Sequence, residues 1–316
     1  MYNEETKIKF IQDYTNSESS GRFAVTVFNT FAPYEKNWGA DLCTKTAEEL
    51  QPAVDSVLCL RTRGQWSYLL LLRTYCKWCI AHKIPGACDG AANINTVGVD
   101  KIRKQMVSGP MHLQKYLDDV FPPVEDESIS ILYRCYLWMA FGGVPEEDVT
   151  RIKCSDVDLD NMVIRFCGKS YDLYREAVPA FRLAATLTSF NYYHDNPVYV
   201  SRRDRYPGDT LMRGIKTLVT TEFLYRTLWS HQKKAIAEGK TEQNLSYRRV
   251  MLSGLFYRNY EMERIGLPLN FTDVVIEETK GKTYSLNRRM KVEHIQNRIM
   301  RGYLEDYQRW KFVFAT

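Results

Sequence analysis

Apolar residues recur at helical spacing through most of the first 120 positions. Val25, Phe28, Phe31 and Tyr34 fall three apart, marking one face of a helix. Thr46-Ala47-Glu48-Glu49 reads as a helix start, with Thr46 or Thr44 as its N-cap. Gln65 to Lys83 is a longer helix rich in leucine and aromatic residues, and Pro85-Gly86 breaks it. Asp100–Ser108 and Met111–Val120 give two shorter helices. Ahead of all these, residues 1–23 are polar and end in Asn16-Ser17-Glu18-Ser19-Ser20-Gly21, a loop signature.

Phe121-Pro122-Pro123-Val124-Glu125-Asp126-Glu127-Ser128 pairs two prolines with a run of acids and reads as a stiff, polar linker. Ser128 is placed to cap a helix over Ile129–Phe141. The period then shortens to two. Met162–Phe166 and Tyr174–Val178 read as strands around a turn at Cys167–Asp172. Helix resumes at Phe181. The polar, aromatic stretch Asn191–Pro207 reads as a long loop, followed by helices over Gly208–Val219, Thr220–Glu238, Tyr247–Ile265 and Glu293–Phe314. No internal repeat or low-complexity tract interrupts this order. The chain is therefore expected to be mainly α. A polar segment (1–23) precedes a helical domain (24–120), a linker (121–128) and a mostly helical domain with one small hairpin (129–316).

With 316 residues, 45% of them apolar, the chain can bury two cores of ordinary size. No apolar run reaches the ~18 residues of a membrane-spanning helix. The first ten residues, MYNEETKIKF, lack a secretory h-region, so the expected compartment is the cytoplasm. The eight cysteines are scattered, which suits reduced core thiols. Cys76-x-x-Cys79-x-x-His82 has a metal-like spacing, but it sits in an apolar helical stretch with no second half-site nearby; buried thiols are the better reading. Charge is uneven. Residues 1–199 carry 21 basic and 25 acidic side chains, whereas residues 200–316 carry 22 and 13. Such a balance suits either a solvated face or a nucleic-acid surface on the second half.

Ala140 to Pro179 reads AFGGVPEEDVTRIKCSDVDLDNMVIRFCGKSYDLYREAVP. With its Gly-Gly pair, Asp-Val-Asp element and Gly-Lys turn, it resembles the opening of the catalytic domain of tyrosine recombinases (phage integrases). The resemblance implies a helical core-binding domain and a catalytic domain that clamp duplex DNA. It also implies cleavage by a tyrosine hydroxyl, with no metal or cofactor. In such a reaction two arginines hold the phosphate, since their planar forks donate paired bonds and stay charged. A hairpin lysine protonates the leaving oxygen and histidines assist.

Carried onto this sequence, the hairpin lysine is Lys169. In Leu245-Ser246-Tyr247-Arg248-Arg249, Arg249 takes the arginine of the family's His-x-x-Arg motif and Ser246 the histidine; Arg248 is an alternative phosphate ligand. Tyr303, nine residues after His294, takes the nucleophile's place, with Tyr307 as its alternative. Tyr303, Tyr307 and Trp310 equally fit a buried helical stripe. Pro145 falls where the first catalytic arginine is expected, and it supplies no cation. Losing one transition-state donor typically costs about 2.7–4 kcal/mol. Serine at position 246 cannot titrate near neutral pH.

For duplex DNA, the candidate backbone ligands are Arg202, Arg203, Arg205, Lys216, Arg248, Arg288, Arg289 and Lys291, the first three interleaved with Tyr192, Tyr193, Tyr199 and Tyr206. The bulky C-terminal run suggests a homo-oligomer through the last helix, or self-docking. The resemblance thus implies a DNA-binding protein of recombinase fold, impaired in cleavage and architectural or regulatory in role. An active divergent recombinase and a protein-interaction module on the same fold are the alternatives.

Overall fold

A computed structural model describes residues 1–15, 17–57, 62–94, 99–193, 200–280 and 292–315. In chain order its helices are α1 (Glu4–Tyr14), α2 (Glu18–Trp38), α3 (Ala47–Val57), α4 (Thr62–Ala81), α5 (Val99–Gln105), α6 (Pro110–Val120) and α7 (Ser130–Gly142). Strands β1 (Val157–Asp158), β2 (Val163–Phe166) and β3 (Lys169–Asp172) follow, then α8 (Val178–Thr186) and the pair β4 (Ser189–Tyr193) and β5 (Val200–Asp204). The chain ends with α9 (Thr221–Ala237), α10 (Tyr247–Arg264), α11 (Thr272–Thr279) and α12 (Val292–Phe314). It divides into two compact units. Met1–Ile102 with Phe271–Val313 forms the first, and Arg103–Asn270 with Phe314–Thr316 the second.

The first unit opens with helix where the polar composition suggested a loop. Its serines form a cap: the Ser17 hydroxyl accepts the Ser20 N–H, and α2 starts at Glu18. Thr46 caps α3 as the sequence suggests. Its hydroxyl accepts the Glu49 N–H while the Glu49 carboxylate accepts the Thr46 N–H. The core gathers Phe10, Phe28 and Tyr75, with Phe28 and Tyr75 packed edge-on at 4.9 Å. Cys76 and Cys79 are buried thiols on this core side of α4. His82 stacks on Trp78 at 3.9 Å.

An ion network is buried beside these rings. Lys7 donates to both carboxylate oxygens of Glu35 and to the Tyr2 carbonyl, and lies 3.8 Å from Asp41. The remaining lone pairs are used by the Leu42 and Cys43 amides, Asn3 and Tyr75. A buried charge needs such complete pairing. Burial nonetheless outweighs Lys7 and holds the Glu35 carboxyl above its ordinary range.

In the second unit α7 is buried on every side, and α10 crosses it closely. A Cβ at Gly254 would overlap the Phe141 carbonyl. The residues expected to form a linker lie within this unit, where Phe121 joins Leu113, Tyr116 and Leu117 in the core. Ser128 does not cap α7; its hydroxyl accepts the Asn191 N–H at 2.7 Å. Three antiparallel strands stand in the order β1-β2-β3, with Phe166 opposite Lys169.

Three further expectations fail in this unit. The strand predicted at Tyr174–Val178 is instead a 3-10 turn, Arg175–Ala177, leading into α8. The true second strand, β3, starts at Lys169, because Cys167 and Gly168 alone make the turn at φ 49° and 74°. Of residues 191–207, 191–193 and 200–204 lie in paired antiparallel strands where a loop was expected, with Asn191 facing Arg202. No helix forms over 208–219. Gly208 adopts φ 141°, and bridges Lys153–Thr210 and Arg213–Leu218 pin an irregular path.

Candidate functional site

Lys169 leaves the two-residue turn as the first residue of β3 and is exposed. A turn with positive φ at both central positions matches the twist of paired strands, so the lysine is displayed at the hairpin's end.

Pro145 lies outside any helix. It opens a turn closed by the Asp148 N–H donating to the Pro145 carbonyl at 3.0 Å. Glu146 accepts the Tyr136 hydroxyl, and the Tyr247 hydroxyl donates to the Val144 carbonyl at 2.8 Å. Burial, then Tyr136 and the Glu146–Asp148 carboxylates, hold the Tyr247 hydroxyl well above its ordinary range. Pro145 is thus followed, within the same turn, by three acids, Glu146, Glu147 and Asp148.

Ser246 has a structural occupation. It is the N-cap of α10, its hydroxyl accepting the Arg249 N–H at 3.4 Å. Arg248 is exposed on the first turn and Arg249 half-buried. Arg258, which the sequence gave no reason to single out, reaches from α10 to the Phe141 carbonyl at 2.6 Å and to Asp172 at 3.5 Å.

The arginine cluster divides. Arg202 and Arg203 are exposed on β5, with Arg202 donating to the Ser189 hydroxyl. Arg205 is only 7% exposed. Its guanidinium donates to the carbonyls of Ala184, Leu187, Leu211 and Arg213 and lies over the Phe190 ring. Burial lowers its pKa to about 10. It is an internal staple and not a ligand for phosphate, which corrects its place among the DNA-binding candidates. Lys216 is exposed. Arg288, Arg289 and Lys291 lie outside the described residues.

In the first unit, His294 is exposed on the first turn of α12 and Tyr303 is buried on the same continuous helix. Nine residues at ~100° each amount to half a turn beyond two full ones, with a rise of about 13.5 Å. The helix therefore sets His294 and Tyr303 on opposite faces and does not bring them together. Tyr303, Tyr307 and Trp310 form the buried stripe. Tyr303 stacks on Phe271 and donates its hydroxyl proton to Glu278 at 2.7 Å.

The chain matches, over residues 1–81, the family model of the MrpR N-terminal core-binding domain. Among solved structures it is similar to the crystal structure of XerA recombinase, with 99% of this chain and 98% of that chain covered, 12% identity and a TM-score of 0.39. No curated protein matches it. Among the described residues, no helix is long and apolar enough to cross a membrane.

Proposed function

We propose that this chain binds duplex DNA through the surfaces a tyrosine recombinase uses, is impaired in strand cleavage, and serves an architectural or regulatory role. The turn at Pro145 carries the reading. Where the family needs a cation against phosphate, this chain has a proline followed by Glu146, Glu147 and Asp148. Ser246, engaged as a helix cap, supplies no titrating imidazole, and His294 faces away from Tyr303 along α12. Losing one such donor costs about 10²–10³ in rate.

Binding needs fewer parts than cleavage. Lys169, Arg202, Arg203, Lys216 and Arg248 are exposed cations on the second unit, and exposed cations give salt-dependent affinity for phosphate. Phe312 and Leu304, exposed on α12, suit a second copy of the chain, which light scattering at increasing concentration tests.

Two measurements decide the function. Anisotropy titration of random duplex DNA at rising salt is expected to show binding that weakens steeply, its log–log slope falling by about 1 for each phosphate-contacting cation replaced. A suicide substrate carrying a nicked scissile strand is expected to yield no covalent adduct. An adduct lost in Tyr303→Phe would establish an active recombinase. Absence of binding at low salt would leave a protein-interaction module on this fold.

A further inference from the structure

Helix α11 meets α12 at three polar contacts, all within the first unit. The Tyr303 hydroxyl donates to Glu278 Oε1 at 2.7 Å, Gln296 donates to the Thr279 hydroxyl at 2.9 Å, and the Thr272 hydroxyl meets the Met300 sulfur at 3.5 Å. The Tyr303 ring lies within 3° of parallel to Phe271, 6.1 Å away, and is 7% exposed. Glu278 is half-buried and Thr279 is buried. The hydroxyl of the tyrosine at the nucleophile's position is thus occupied by a carboxylate.

We infer that Glu278 is an autoinhibitory latch: α11 holds the Tyr303 hydroxyl closed, in competition with any phosphate. The inference rests on the reading of Tyr303 as the family's nucleophile position. An attacking oxygen must come within ~3–3.5 Å of the atom it attacks. A phosphodiester placed there has its anionic oxygens beside the Glu278 carboxylate, and like charges so close repel strongly. The tyrosine proton cannot serve Glu278 and also leave to a base elsewhere. Release requires α11 to withdraw. This restraint is separate from the missing cation at Pro145, and it acts in the other unit.

The latch is testable on the full chain without DNA, by nitration of tyrosines with tetranitromethane and peptide mass spectrometry. Tyr206, 38% exposed, and Tyr307, 0% exposed, serve as open and closed internal standards. In the unmodified chain Tyr303 is expected to react like Tyr307. In Glu278→Ala its rate is expected to rise by about tenfold, the scale of losing one hydrogen bond to a charged acceptor, while Tyr307 stays protected. Glu278→Gln, which keeps a neutral acceptor, is expected to fall between. Circular dichroism reports whether each variant is folded. Nitration of Tyr303 at the Tyr206 rate in the unmodified chain overturns the latch. So does a folded Glu278→Ala in which Tyr303 stays as protected as Tyr307. Either result leaves the DNA-binding proposal intact, and a chain that fails to bind DNA leaves the latch intact.

Discussion

Replacing Lys7 with methionine tests the electrostatics of the first unit. Lys7 and Glu35 are fully buried and Asp41 is 6% exposed. Removing the ammonium leaves the two carboxylates facing each other beside the Phe28 and Tyr75 rings. Breaking a buried pair from one side typically costs about 3–5 kcal/mol. Native-state hydrogen exchange read on α1 and α2 peptides should therefore accelerate by about 10²–10⁴-fold at neutral pH. The pH dependence has a definite sign. Burial already holds the Glu35 carboxyl above its ordinary range while Lys7 opposes the shift; without Lys7 the shift grows. A carboxyl whose folded pKa is raised gives stability that is present below the unfolded value and lost as pH rises through the folded one. The deficit of Lys7→Met should thus be small near the ordinary glutamate range and full at higher pH. The double variant Lys7→Met, Glu35→Met should recover most of the loss, since a charge pair replaced by apolar groups is often neutral. A Lys7→Met chain within about 1 kcal/mol of the parent at neutral pH, or a deficit that deepens on acidification, would refute the reasoning.

Other outcomes follow from single contacts. Ser246→Ala should cost about 1 kcal/mol in urea unfolding through loss of the α10 cap and leave the salt slope of DNA binding unchanged. Gly254→Ala forces a methyl into the Phe141 carbonyl and should cost about 1–3 kcal/mol; an unaltered melting midpoint would contradict the close crossing of α7 and α10. Asp158 accepts from Arg165 and Asn161, which holds its carboxyl well below the usual range, Arg165 being the largest cause. A lowered folded pKa gives stability that is present above the unfolded value and lost as pH falls through the folded one. Carboxyl carbon NMR should therefore show Asp158 still ionised where exposed aspartates have titrated, and Asp158→Asn should make the unfolding midpoint less acid-sensitive.

Much of the helical frame was legible in the sequence. The ends of α9, α10 and α12 lie within a residue or two of expectation, because Thr220 and Ser246 cap strong amphipathic patterns. The misses have physical causes. Leu211, Met212, Ile215, Leu218 and Val219 have helical spacing, yet Arg205 and Gly208 commit that stretch to an irregular path around the guanidinium. Tyr174 to Val178 look like a strand, but the second strand starts five residues earlier, at Lys169, because the hairpin turns on a cysteine in the left-handed region that no propensity favours. The candidate site was legible as residue types and less so as faces. The nine-residue interval between His294 and Tyr303 already places them half a turn out of phase on any unbroken helix. A buried arginine satisfied by four carbonyls cannot be told by composition from one that meets phosphate. Nothing in the run Val275-Ile276-Glu277-Glu278 marks Glu278 as the partner of Tyr303.

The cap at Ser246 also fixes where α10 begins. A side chain there without a suitably short oxygen acceptor gives up the bond that closes the first turn, at about 1 kcal/mol. The cellular abundance of such a variant falls with its stability, whatever the new side chain contributes at the surface. Position 246 thus tolerates change only at a thermodynamic cost that any gain there must first exceed.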